Sequence, residues 1–188
     1  DSARMLALVG NLERTVDRII DAARRPDRAG AGGAGKSDVA GCDAVAVVRR
    51  QVAFWSALAA DQGRQVALSL PTAPQWVRLS ADDLEAAVDA LLENVFAHTP
   101  EGAGFAVWVE PRLDGGASLI VADSGRGLPG LDVAERGFSQ AGSTGLGLDI
   151  VRRAAEASGG RLELGPSATG GAQFRVEIGV LDMSAAPA

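Results

Sequence analysis

The chain has 188 residues, with 18 Lys and Arg against 24 Asp and Glu, a formal charge of −6 and a single cysteine, enough for one ordinary core and a smaller appendage. The acidic balance speaks against a nucleic-acid surface, which needs a concentrated basic stripe to meet phosphates. Cys42 alone builds neither a disulfide framework nor a thiolate metal site within one chain, so it is expected as a small buried apolar residue in a reducing compartment.

The first four residues, Asp1-Ser2-Ala3-Arg4, carry neither an initiator Met nor a signal sequence, and no apolar run approaches the roughly 20 residues that cross a bilayer. An excised soluble piece is expected. From Met5 the apolar residues Met5, Val9, Leu12, Val16, Ile19 and Ala23 fall alternately four and three apart, the seam of helices that pair side by side. Pro26 ends that pattern. Residues 28–41 are rich in Gly, Ala and charge without periodicity and read as a flexible linker, which leaves 1–27 as a helical segment, 42–181 as the main domain and 182–188 as a frayed tail.

Within the main domain Val45 to Gly63 reads as a helix, and Val66–Leu70 and Trp76–Leu79 as short strands around a turn with Pro71 and Pro74. Ser80 before Ala81-Asp82-Asp83 has the chemistry of a helix start: a hydroxyl for a free amide and two carboxylates for the positive helix end. Phe105–Glu110 alternates as a strand, Leu119–Ala122 is a short buried run, and Asp114-Gly115-Gly116 joins them as a hairpin. Leu148–Ser158 reads as a helix closed by Gly159-Gly160, followed by strands Arg161–Leu164 and Ala172–Ile178. The sum is an α+β protein, a mixed sheet with helices on one face.

Three stretches carry chemistry. On the Ser80 helix, Leu84, Val88, Leu91, Leu92 and Val95 form an apolar stripe, and the helical turn angle puts Ala90, Asn94 and Ala97 on the far side. That small, polar face leaves room for a ligand. Asn94 offers a neutral hard oxygen to magnesium, which favours oxygen ligands while bridging phosphates, and Glu93 beside it could orient a nucleophile or accept a proton. Asp123 follows a buried strand, where its carboxylate is an acceptor for an exocyclic amine such as that of adenine. Gly125 and Gly127 let the backbone lie against a flat ring. Gly145 and Gly147, just before a helix, offer amides to phosphate oxygens, with Ser143 and Thr144 as hydroxyl donors, and Leu128–Thr144 reads as a lid. A P-loop is excluded, because no glycine-rich run here ends in Lys followed by Ser or Thr.

Leu91-Leu92-Glu93-Asn94 with His98-Thr99-Pro100, then Asp123 to Gly127, then Gly145 to Leu148, resemble in order and spacing the asparagine box and two glycine boxes of the ATP-binding catalytic domain of bacterial sensor histidine kinases. These belong to the wider gyrase, Hsp90, kinase and MutL ATPase superfamily. The resemblance spans Cys42 to Val180 and implies a two-layer α/β sandwich of the Bergerat type. It implies that Asn94 holds Mg2+, Asp123 reads adenine, Gly125 and Gly127 line the base, His98 stacks near it, and Gly145, Gly147 and Leu148 face the phosphates of ATP. Leu128 and Leu146 join that nucleotide-binding set. Phe138 is similar to the lid aromatic of the family, and Gly171-Ala172-Gln173-Phe174 to its closing strand motif.

Two positions depart from the pattern. Ala90 replaces the second asparagine of many kinases, or the water-activating glutamate of the hydrolytic members, so steady ATP hydrolysis is not expected. Ala97 replaces a basic residue that contacts phosphate. The first 25 or so residues resemble the second helix of the dimerisation and phosphoacceptor hairpin, whose acceptor histidine lies on a preceding helix. The resemblance therefore implies a cytoplasmic kinase fragment of a homodimeric, membrane-bound parent that serves a response regulator. A non-catalytic nucleotide-binding module and an anti-sigma-type serine kinase of the same fold remain as alternatives.

Overall fold

The computed structural model describes residues 41–127 and 146–181. The helix expected from Met5, the linker after it, the lid with Leu128, Phe138, Ser143, Thr144 and Gly145, and the tail from Asp182 lie outside the described residues.

Cys42–Asp43, ahead of the helix expected from Val45, forms a two-residue strand (β1) to which the local sequence gives no clue. Asp43 then caps α1 (Ala44–Asp61): its Oδ1 accepts from the amides of Val45 at 3.0 Å and Gln75 at 2.9 Å. One carboxylate thus starts the helix and pins the loop ahead of β3 (Trp76–Val77), which pairs antiparallel with β1. Burial, and secondarily Asp43, push the Cys42 thiol up to about 11, so it stays protonated and inert. Gly63 stops α1 at φ +64, a left-handed turn that glycine takes without strain.

The expected strand at 76–79 is shorter than its apolar pattern because Arg78 turns away, its backbone amide donating to Gly179 O at 2.9 Å. Ser80 then caps α2 (Ala81–His98) reciprocally: Oγ accepts from the Asp83 amide at 3.1 Å and donates to Asp83 Oδ2 at 2.7 Å. Replacing Ser80 with Ala leaves an orphan helix amide, so the urea midpoint should fall by an amount equivalent to about 1 kcal/mol.

The main sheet runs β2-β4-β5-β7-β6, with β2 (Val66–Ser69) parallel to β4 (Phe105–Pro111) and antiparallel pairing among β4, β5 (Ala117–Asp123), β7 (Ala172–Ile178) and β6 (Leu162–Pro166). The register aligns Phe105, Val107 and Val109 with Asp123, Val121 and Leu119, and the latter two with Phe174 and Val176. Alternation sends these apolar side chains to one face. There they join Val48 and Val52 of α1, Leu84, Leu91, Leu92 and Val95 of α2, and Val151 and Ala155 of α3 (Leu146–Ser158) in one core. The layered sandwich expected from the sequence is the observed architecture.

Tight turns set its ends. The β4–β5 hairpin turns through Gly115 and Gly116 at φ +88 and +77. Trp55 of α1 stacks near Phe96 of α2 at 5.2 Å between ring centres, Phe96 meets Phe105 of β4 at 5.8 Å, and Trp55 Nε1 donates to the buried Asp89 Oδ1 at 2.8 Å. This aromatic column fixes the far half of α2 over the sheet, and that half carries the asparagine-box residues. Among the described residues no helix is long and apolar enough to cross a membrane.

Candidate functional site

β5 is buried along its whole length and delivers Asp123 to its C-terminal end with 5 % exposure. A carboxylate at that depth needs hydrogen bonds. Its Oδ1 accepts from the amides of Gly125 at 2.8 Å and Ala172 at 3.3 Å. Its backbone carbonyl accepts from Ser167 Oγ at 2.7 Å and Thr169 Oγ1 at 3.1 Å, while Ser167 Oγ itself accepts from the Gly171 amide at 2.9 Å. The β6–β7 turn therefore grips Asp123 from behind, and among the described residues the bonds to its carboxylate fall on Oδ1 alone.

Both glycines after Asp123 are required by their surroundings. A Cβ on Gly125 would sit 2.7 Å from Thr99 Cγ2 and 2.9 Å from Asp123 Oδ1, and Gly127 has φ +76 with Gly170 O only 3.1 Å from a would-be Cβ. The backbone here passes as close as glycine allows to the end of α2 and to the β6–β7 turn. A flat ligand beside Asp123 would meet main chain rather than side chains.

α2 presents two different faces. Asp89 and Phe96 meet Trp55 of α1, and Glu93, four residues after the first and three before the second, lies on that same face, half-buried. Ala90 is 2 % exposed, which corrects the expectation that it lines an open ligand face. Its Cβ lies 3.9 Å from where a Cβ on Gly147 would be, because α3 packs across α2 there and a small residue permits the approach. Asn94, one turn after Ala90 on this α3-facing side, is half-buried beyond the crossing, and Ala97 is exposed. Glu93 and Asn94 thus project about 100° apart around the helix axis.

α3 begins at Leu146, so Gly147 and Leu148 belong to its first turn. This corrects the expectation that the helix starts after the second glycine run. The amides of a first turn have no partner within the helix, which keeps them available to an anion. At the other end Arg78 clamps α3, with Nη2 donating to Ser158 O at 2.8 Å and Nε at 3.2 Å. His98 is exposed in the last turn of α2, on the segment that leads through Thr99 to Gly125.

The described part of the site thus brings Asp123, Gly125 and Gly127 together around Thr99 and the β6–β7 turn, and brings Gly147 of α3 against Ala90 of α2, one turn before Asn94. Among the described residues no three His, Cys, Asp or Glu side chains gather as a metal-ligand set. Sequence reasoning missed Ser167, Thr169 and Arg64, all of which brace these residues. Ser167 and Thr169 lie in a loop and Arg64 follows a helix-stopping glycine, positions with no motif that singles them out.

Residues 80–181 match the family model described as histidine kinase-, DNA gyrase B- and HSP90-like ATPase. The alginate biosynthesis sensor protein KinB of Pseudomonas aeruginosa is 31 % identical over 152 residues, covering 74 % of this chain and 24 % of that protein. Hybrid signal transduction histidine kinase D of Dictyostelium discoideum is 28 % identical over 136 residues, 64 % of this chain and 9 % of that one. The chain therefore spans less than a quarter of the length of these two relatives. Among solved structures, the catalytic domain of histidine kinase ThkA superposes with a TM-score of 0.66 at 19 % identity, over 76 % of this chain and 96 % of that one.

Proposed function

Because the chain belongs to the family of histidine kinase-, DNA gyrase B- and HSP90-like ATPases, we propose that it is the ATP-binding catalytic part of a sensor histidine kinase. It positions Mg-ATP so that a histidine on a helix of the same kinase, or of its partner protomer, takes the γ-phosphoryl group, which then passes to an aspartate of a response regulator. The observation that carries this reading is the buried Asp123, held through Oδ1 by the Gly125 and Ala172 amides. A carboxylate anchored by one oxygen has the other to offer as an acceptor, which suits the amine of adenine and disfavours a carbonyl at the same place.

The remaining roles are assigned from position together with the family resemblance. Gly125 and Gly127 admit the ring, His98 stacks at its rim, and the first-turn amides at Gly147 and Leu148 meet phosphate oxygens. Leu128, Phe138, Ser143, Thr144, Gly145 and Leu146 complete the set by family resemblance. Asn94 would hold Mg2+, whose chemistry is to neutralise charge on the phosphates during in-line transfer. Glu93, turned toward α1, serves to hold α2 in place as well as to influence proton movement. Ala90, buried under α3, has no carboxylate with which to activate water, so transfer to an imidazole is favoured over hydrolysis. The parent protein is a cytoplasmic-facing homodimer, and the acceptor histidine comes from outside this chain.

The test is titration of Mg-ATP followed by phosphoryl transfer in trans to a histidine-bearing helical hairpin. Saturable binding with labelled histidine is expected; binding without transfer would identify a non-catalytic module, and no binding would remove the reading. In the same assay Asn94→Asp keeps the side-chain shape but sets a negative charge beside the phosphates. It should lower transfer roughly tenfold or more and alter the affinity gained from magnesium, with Tm within about 3 °C of the parent. A collapse of Tm instead would make Asn94 structural.

A further inference from the structure

Arg64 is 6 % exposed, the one buried Arg among the described residues. Burying a guanidinium is costly unless its donors are met. Among the described residues they are met without a directly bonded carboxylate. Nε donates to Gln62 Oε1 at 2.7 Å, Nη1 to Thr99 Oγ1 at 2.5 Å and Ala103 O at 3.0 Å, and Nη2 to Thr99 O at 3.1 Å. The guanidinium carbon lies 4.7 Å from the centre of the Phe96 ring, a stacking that suits a planar cation. Burial lowers its pKa from the ordinary arginine value, and the charges of Glu101 and Asp123 oppose that shift.

Half of these bonds converge on Thr99. Its hydroxyl accepts from Arg64 and donates to Val95 O at 2.6 Å, which leaves its torsion no freedom. The methyl is thereby directed at Gly125, where a Cβ would come within 2.7 Å of Thr99 Cγ2. Gly125 in turn donates to Asp123 Oδ1. A chain of contacts therefore runs from a buried cation through one threonine to the loop beside the candidate base-reading carboxylate.

Building on the ATP-binding reading above, we propose that Arg64 is a positioning residue for purine selection: through Thr99 it sets the Gly125 backbone and so the direction of the Asp123 carboxylate. A side chain that served only to fill the core would support the fold but would not distinguish one purine from another. The decisive quantity is thus the ratio of affinities for ATP and inosine triphosphate, which differ at the exocyclic group.

The experiment titrates the full chain and its variants with both nucleotides and records Tm alongside. Arg64→Met should reduce the ATP preference about tenfold, and Arg64→Lys, which keeps the charge but not the planar fork, should fall between it and the parent. Thr99→Ser keeps both hydroxyl bonds and deletes only the methyl against Gly125. It should lower the preference about threefold while leaving Tm within about 2 °C. If Arg64→Met does not fold, Arg64→Lys and Thr99→Ser decide the matter. Variants that lose Tm while the ratio stays at the parent value would overturn the proposal. A parent chain that binds neither nucleotide would instead overturn the ATP-binding reading.

Discussion

Asp123→Asn should weaken ATP binding by about 2–3 kcal/mol, roughly 30- to 150-fold in Kd, while changing Tm little. Asparagine retains a carbonyl oxygen, which can take the place of Oδ1 and accept from the Gly125 and Ala172 amides. The loop is then held as before. The other terminal atom becomes an NH2, so the group facing the ligand changes from acceptor to donor. Against the amine of adenine, donor meets donor; against the carbonyl of inosine or guanine, the new donor finds an acceptor. Affinity for inosine triphosphate should therefore hold or improve as affinity for ATP falls. Asp123→Ala separates the two functions, since it strands both amides and should lower stability as well. An unchanged preference in Asp123→Asn, measured by titration with both nucleotides, would reduce Asp123 to an anchor of the β5–β7 edge.

The features legible in the sequence are those whose cause is local. Ser80 followed by Asp83 announces a cap because the bonds that make it span three residues. Gly63, Gly115 and Gly116 announce turns because the backbone there has positive φ. Asp123 was legible as a strand-end carboxylate, although its distant grips could not be foreseen: Ser167 and Ala172 lie 44 and 49 residues away. Ala90 shows the limit of periodicity. The stripe from Leu84 to Val95 identifies the face of α2 turned to the sheet, but a single helix gives no sign that a second one will cover its flank. The approach of Gly147 to Ala90 converts an apparent ligand face into helix contact and leaves Asn94 at its margin.

Arg64 was missed for a related reason. A lone arginine after a helix-stopping glycine looks like a solvated charge, because its acceptors on Thr99 and Ala103 are 35 and 39 residues distant. The two-residue β1 was missed because nothing in Cys42-Asp43 alternates; it exists through pairing with Trp76 and Val77. Tertiary packing rather than local propensity decided each of these.

Gly171→Ala is expected to be the most damaging single-methyl change in this part of the molecule. A Cβ at Gly171 would sit 2.2 Å from both the backbone O and Oδ1 of Asp123, and 2.7 Å from its carbonyl carbon. Two of these atoms are main chain, so no rotamer change relieves the clash. Either the β6–β7 turn retreats or the end of β5 does. Retreat of the turn breaks the bonds from Ser167 and Thr169 to the Asp123 carbonyl, and retreat of β5 moves the carboxylate itself. Overpacking of this kind should cost about 2–3 kcal/mol in urea unfolding. Gly165→Ala provides the control, because that glycine lies on β6 of the same hairpin with nothing within 4 Å of a would-be Cβ. Its stability should stay within about 0.5 kcal/mol of the parent. At a temperature where both variants are folded, Gly165→Ala should bind ATP normally and Gly171→Ala should not. Equal ATP affinity in the two, despite the stability difference, would mean that nucleotide binding does not depend on where the β6–β7 turn holds Asp123.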